Sequence, residues 1–296
     1  MTPIPPIFSQ ITSPIESFSL PHWPQCAPKV WVKRDDLIHP FVSGNKWRKL
    51  KYANLHHHKK IVSIGGGYSN HLHALGYLCS QLQLPFTALV RGHYGATPTP
   101  MLNDLQNWGC HIEYIDKKLY ATRDTEQFKT WLDEHHIGSH FIPEGGSTAQ
   151  AVKGVSELCD EVHTQLSALP THFITPVASG ATLAGLVTGM ASTTQRAIGI
   201  AVLKGKGYLE QQVQRFLPKA QENWQIQHGY VHGGYAKKSD ALSDFIIQFN
   251  QHSTIPIEPV YSGKLFFAVN EMIMNKEFSS TDRLVLLHTG GIQGSR

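Results

Sequence analysis

Residues 30–55 read VWVKRDDLIHPFVSGNKWRKLKYANL, and this stretch decides how the rest of the chain is read. Val30-Trp31-Val32 has the composition of a short strand, with Pro28 before it and the polar turn Arg34-Asp35-Asp36 after it. Ser43 is placed to cap a helix beginning near Asn45, and Trp47, Leu50, Tyr52 and Leu55 follow at rough helical spacing. Lys46 therefore falls in the first turn of a helix, where the positive end of the dipole disfavours an ammonium ion. If it is also desolvated it loses its proton more readily, and a neutral amine can add to a carbonyl carbon. Taken alone, these residues favour a plainer reading, a solvated basic face that also carries Lys49 and Lys51.

Outward from this segment, apolar runs of strand length alternate with helical patterns. Strands are predicted at 61–64, 86–90, 111–115, 140–142, 171–177, 197–203, 224–228 and 283–287. Helices are predicted at 70–83, 99–108, 122–136, 148–166, 239–250 and 263–275, with another following Gly205-Lys206-Gly207. The first thirty residues are rich in proline and read as irregular. Alternating strands and helices imply an α/β protein built on open, mostly parallel sheets flanked by helices.

At 296 residues the chain can form two lobes around a sizeable core. Its 41% hydrophobic and 16% charged content describe an ordinary soluble globular protein, and its net charge of +4 is spread along the chain. This argues against a nucleic-acid surface. No apolar run approaches a membrane span, and MTPIPPIFSQ lacks the regions of a signal peptide, so a cytoplasmic location is expected. Cys26, Cys79, Cys110 and Cys159 form no CxxC pair and read as free thiols. Although there are 18 histidines, no HExxH or Cys/His ligand spacing is present, so no metal site is expected.

Four strand-to-helix turns carry the chemistry: GGGYSNH (65–71), ASGATLAG (178–185), GGY (233–235) and HTGG (288–291). In an open parallel sheet, ligands bind where such turns cluster, at the carboxyl ends of the strands. ASGATLAG lets a phosphate approach backbone N–H groups at a helix start, with Ser179 and Thr182 adding hydroxyls. Close helix packing explains its small residues equally well. Ser69 reads as a helix cap, and Tyr235 and Tyr261 as aromatics packed in or beside loops.

Taken together, KRDDL followed by SGNKWRKL, then GGGYSNH, ASGATLAG, HGGYAKK, EPVYSGK and HTGG resemble the 1-aminocyclopropane-1-carboxylate (ACC) deaminase and D-cysteine desulfhydrase family. These are pyridoxal-phosphate enzymes of the tryptophan-synthase-β fold type. The resemblance implies a large domain of residues 1–51 and 156–296, a small inserted domain of 52–155, and a homodimer. It makes Lys46 the cofactor-bearing lysine and gives the phosphate to Ser179, Gly180, Ala181, Thr182 and Leu183. Ser69 then meets the substrate carboxylate or acts as a nucleophile, and Asn70 bonds the cofactor's phenolic oxygen. Tyr235 and Tyr261 become general acids or bases, provided that nearby cations lower their pKa.

Relatives commonly have glutamine where this chain has Tyr68, and a glutamate beside the second tyrosine where it has Ser262. A hydroxyl, from Ser262 or Thr289, then faces the pyridine nitrogen and stabilises a protonated ring less than a carboxylate does. That implies D-cysteine desulfhydrase chemistry, yielding pyruvate, sulfide and ammonia. ACC deamination to 2-oxobutyrate and ammonia is the alternative. Two other readings stay open: a pyridoxal-phosphate-binding protein without turnover, and a nucleotide-binding α/β protein.

Overall fold

The computed structural model describes residues 6–8, 12–95, 97–219 and 221–295. In chain order the elements are β1 (Ile15–Phe18), β2 (Lys29–Lys33), α1 (Asn45–Leu50), β3 (Ile61–Gly66), α2 (Asn70–Gln81), β4 (Phe86–Arg91) and α3 (Pro100–Asn107). There follow β5 (His111–Ile115), α4 (Lys117–Ala121), α5 (Glu126–His135), β6 (His140–Ile142), α6 (Ala149–Gln165), β7 (His172–Val177) and α7 (Ala181–Gly189). The chain closes with β8 (Arg196–Ala201), α8 (Tyr208–Gln214), β9 (Trp224–Gln227), α9 (Asp240–His252), α10 (Ser262–Met274) and β10 (Arg283–Leu287).

Among the described residues these strands form two sheets, ordered β1-β2-β10-β7-β8-β9 and β5-β4-β3-β6. Every pairing is parallel except that of β1 with β2. Helices cover both faces of a parallel sheet, so its strands are apolar almost throughout. Residues 61–65 of β3 and 197–201 of β8 are accordingly all buried. The α/β architecture expected from the sequence is the one observed.

The larger sheet takes strands from both ends of the chain. β10 lies between β2 and β7, and the whole four-stranded sheet is formed between α1 and α6.

Three local expectations are corrected. β1 gives the proline-rich start an antiparallel edge strand, pairing Ile15 with Lys33 and Phe18 with Val30. Its four residues, IESF, are mostly half-buried and offer no clean alternation to read. The helix expected over 122–136 starts later, as α5 at Glu126, and a separate short helix, α4, precedes it, where Asp116 accepts the Leu119 N–H at 2.7 Å. Ser43 does not cap α1: its hydroxyl donates to the Asp36 carbonyl at 3.3 Å, and Gly44 is the cap residue.

Gly44 also decides where α1 lies. It has φ of 65°, and a Cβ there would fall 1.9 Å from the Thr289 carbonyl oxygen. Only glycine lets the backbone after β10 press against the start of α1, where the Asn45 N–H donates to that carbonyl at 3.3 Å. Arg48 ties the same helix to two other segments. Its Nε and Nη2 donate to the Asp35 carboxylate at 2.6 and 2.8 Å, and Nη1 and Nη2 donate to Glu161 of α6 at 2.7 and 2.9 Å.

Candidate active site

The turns at the carboxyl ends of β3, β7 and β10 open into one cavity of about 850 Å³. Asn45, Lys46 and Lys49 line it from α1, and Gly66–His71, Arg91 and Glu144 from the smaller sheet. The larger sheet contributes 176–180, Thr182, Leu183, Tyr235, 258–261 and Thr289. Lys46, Ser69, Asn70, Ser179, Gly180, Thr182, Leu183, Tyr235, Tyr261 and Thr289, all singled out in the sequence, therefore share one cavity.

Lys46 lies in the first turn of α1, and its Nζ donates to Asn45 Oδ1 at 2.9 Å. Its side chain is half-buried because it opens only onto the cavity, with protein packed around the rest. Burial lowers its pKa to about 8, although the Glu144 carboxylate acts in the opposite direction. Desolvation thus makes Lys46 give up its proton more readily than an ordinary lysine, in the direction read from the sequence.

Lys49 overturns the solvated-face reading. It is 2% exposed. Its Nζ donates to the Gly145 carbonyl at 3.2 Å, Ser179 Oγ at 3.3 Å and Ser147 Oγ at 3.4 Å. Burial, followed by the charges of Lys46 and Arg215, holds it well below the ordinary lysine range. Its spacing from Lys46, one helical turn on the same face, was the available signal.

The 178–183 turn is arranged for an anion. Gly180 has φ of 81°, and a Cβ there would lie 2.4 Å from the Gln212 carbonyl oxygen. Ser147 donates its hydroxyl hydrogen to Ser179 Oγ at 2.7 Å, and Lys49 donates to the same atom. Asn45 Nδ2 likewise donates to Thr182 Oγ1 at 2.9 Å. Both hydroxyls are thus acceptors towards the protein, which leaves their own hydrogens for the cavity. Arg215, whose charge reaches Lys49, also lines the cavity. Ala181 does not line the cavity; it is fully buried, and its N–H donates to the Ser179 carbonyl at 3.1 Å.

Opposite this turn, Ser69 caps α2 by accepting the Leu72 N–H at 3.2 Å. Asn70 accepts from Gln293, and its amide packs against Gly291. His71 is 2% exposed and held neutral by burial, with Lys46 and Lys49 adding to the effect. Ser63 donates to the Ile142 carbonyl at 2.7 Å, so His71 Nε2–H is the donor in its 2.8 Å contact with Ser63 Oγ. His71 Nδ1 is left as a buried acceptor without a partner.

The two tyrosine hydroxyls are 2.9 Å apart. Burial pushes Tyr261 well above its ordinary pKa, and Tyr235, 47% exposed, is raised for the same reason. The direction is opposite to the expected lowering by cations: desolvation of the phenolate comes first, the Glu258 and Glu144 carboxylates add to it at both rings, and Arg91 opposes it only at Tyr235.

Ser262 is also corrected: it is fully buried and outside the cavity wall. Its Oγ accepts the Glu258 N–H at 2.9 Å and donates to Glu258 Oε1 at 3.3 Å. Glu258 does reach the cavity wall, but its two oxygens accept three backbone N–H groups, those of Val260, Tyr261 and Ser262, at 2.6, 2.7 and 2.9 Å. Among the described residues, no group of three or more His, Cys, Asp or Glu side chains could hold a metal ion.

A family model described as pyridoxal-phosphate dependent enzyme matches residues 11–290. The chain belongs to the pyridoxal-phosphate dependent enzymes. The cofactor suits the donor set: an amine lowered to about 8 for its aldehyde, and two hydroxyl hydrogens with the N–H groups of the buried Lys49 for its phosphate.

The Arabidopsis thaliana protein named bifunctional D-cysteine desulfhydrase/1-aminocyclopropane-1-carboxylate deaminase, mitochondrial, is 25% identical over 314 residues, covering 97% of this chain and 78% of that one. A solved structure of an ACC deaminase homologue has a TM-score of 0.79 at 24% identity, covering 96% of this chain and 90% of its own. A hydrogen sulfide-producing enzyme from Fusobacterium nucleatum has the same fold, with a TM-score of 0.69 at 11% identity, covering 97% and 98%.

Capture of pyridoxal phosphate by cofactor-free protein is expected to speed up with pH through about 8 and then level off. Only the neutral Lys46 amine adds to the aldehyde, and its fraction saturates above that value. Stopped-flow absorbance checks this; a rate still climbing at about pH 10 would mean an unperturbed lysine.

Proposed function

We propose that this pyridoxal-phosphate enzyme removes the β-substituent and the amino group of a small amino acid, as a D-cysteine desulfhydrase does. The observation that carries the reading is the wall beside Tyr261. Its carboxylate, Glu258, is committed to three backbone N–H groups, and Thr289 lines the cavity with a hydroxyl that would be the neutral partner of the pyridine nitrogen. A neutral partner suits elimination, which demands less charge storage in the ring than chemistry needing a carboxylate there.

When bound, the cofactor supplies an aldehyde for amine addition and a ring that takes up the negative charge left at Cα. Ser179, Thr182 and Lys49 would hold its phosphate, Asn70 its phenolic oxygen, and Lys46 its aldehyde carbon. The turn containing Ser69 receives the substrate carboxylate at the first turn of α2, where the dipole favours an anion. Lys46 Nζ, once displaced, takes the Cα proton. Tyr235 and Tyr261 keep their protons, so the pair acts as a donor. As the C–S bond breaks and its electron pair stays on sulfur, Tyr261 protonates the sulfur. Addition of water then yields pyruvate and ammonia.

The same reading assigns residues 1–51 and 156–296 to a large domain, 52–155 to a small one, and a homodimer in the cytoplasm. Among the described residues no helix is long and apolar enough to cross a membrane.

The test is a keto-acid measurement on cofactor-loaded protein, with D-cysteine and ACC in parallel. Pyruvate with sulfide from D-cysteine is expected. Oxobutyrate from ACC alone would replace elimination by ring opening; ACC has no Cα proton, so Ser69 or Tyr261 would then act at the ring. No product from either compound would sink the reading.

A further inference from the structure

The small-sheet wall of the cavity carries two arginines with different surroundings. Arg123 is committed: its Nε donates to Glu144 Oε2 at 2.7 Å, the Tyr120 hydroxyl donates to the other Glu144 oxygen, and Asp124 adds a second negative charge nearby. The Arg91 side chain makes no hydrogen bond or ion pair among the described residues. Its guanidinium lies over the Tyr120 ring, 4.9 Å from the centroid, at the carboxyl end of β4.

The parallel register of β3 and β4 pairs Arg91 with Gly66. One of its terminal nitrogens lies 3.9 Å from where a Gly66 Cβ would project. The side chain is exposed, and the cavity is the space it faces. A guanidinium laid on an aromatic face keeps its planar fork of N–H donors free and oriented, the geometry that binds an oxyanion in bidentate fashion.

The other anions of the complex already have their own partners. The phosphate has the 178–183 turn with Lys49 and the nearby charge of Arg215, and the substrate carboxylate has the turn that starts α2. The cavity of about 850 Å³ that takes the cofactor and the amino acid extends as far as Arg91 on the small-sheet wall.

We propose that Arg91 binds a second anionic group, a carboxylate or phosphate ester, at the far end of the substrate side chain. This inference rests on the function proposed above and extends it. D-cysteine fills only the reacting part of the site, and amino acids with an anionic side chain fill the rest.

The experiment titrates cofactor-loaded enzyme with matched ligands, D-alanine against D-aspartate and D-serine against O-phospho-D-serine. Binding is followed by the change in cofactor absorbance in the wild type, Arg91→Gln and Arg91→Lys. The wild type is expected to favour the anionic member of each pair. Arg91→Gln should weaken the anionic members about ten- to hundredfold, the loss expected for hydrogen bonds to a charged group, while neutral members stay within about twofold. Arg91→Lys should recover part of the loss, since it keeps the charge but not the fork. Equal weakening of both members would assign Arg91 to the substrate carboxylate and overturn the inference, as would no change in either. Absence of any spectral response in the wild type would overturn the proposed function together with this inference, whereas a response indifferent to Arg91 overturns the inference alone.

Discussion

Replacing Lys46 by alanine is expected to lower keto-acid production by about a thousandfold or more while the protein stays folded. The loss is large because one amine serves twice, as the nucleophile that meets the aldehyde and as the base at Cα, and a positioned base alone contributes about 10²–10⁴-fold. The fold should survive because Lys46 is a desolvated cation at the positive end of a helix, where its charge stabilises nothing. Its one hydrogen-bond partner, Asn45, keeps its own bond to Thr182. Circular dichroism and a melting curve beside the rate measurement separate the two effects. A variant retaining more than about a tenth of wild-type activity would remove Lys46 from the mechanism.

Arg48→Met is expected to cost about 3–5 kcal/mol of stability, the range for removing one partner of a buried ion pair. Arg48 and Asp35 have fully buried side chains, and Glu161 is only 15% exposed. Burial by itself would lower the Arg48 pKa, yet the Asp35 and Glu161 carboxylates hold it above the ordinary arginine range. Without the guanidinium, Asp35 keeps the Ser13 hydroxyl at 2.6 Å as its side-chain partner, and Glu161 keeps Lys33 at 2.9 Å. Neither replaces a bidentate cation. The exposed pair Lys129–Glu126 is the control, and Lys129→Met should cost no more than about 1 kcal/mol. Urea unfolding curves for both variants decide the matter; equal midpoints would mean that water reaches Asp35 and Arg48. The same substitution bears on catalysis, because Arg48 anchors the helix that presents Lys46 and Lys49 to α6 and to the 35–37 turn.

The fold was legible because its signals are short in range. Runs such as 61–65 and 197–201 are apolar on consecutive residues only when both faces of a strand are covered. Glycine-rich turns after those runs mark the carboxyl ends of the strands, where the cavity lies. Lys46 was readable too, since its place in a first helical turn depends on its immediate neighbours alone. β1 escaped notice because a four-residue edge strand has too few residues to show a period.

The remaining features depend on residues that meet only in the folded chain. Lys49 is a buried amine beside the 178–183 turn because Gly145 and Ser179, 96 and 130 residues away, close over it. The tyrosine pair holds its protons more tightly instead of releasing them because desolvation depends on the depth of surrounding protein, which no local pattern encodes. Ser262 is turned inward because Glu258 caps the turn at the start of α10, and Arg91 lacks a counter-charge because Glu144 is occupied by Tyr120 and Arg123. Backbone form follows from near neighbours, whereas the charge and proton affinity of a side chain follow from what packing removes or leaves of its water.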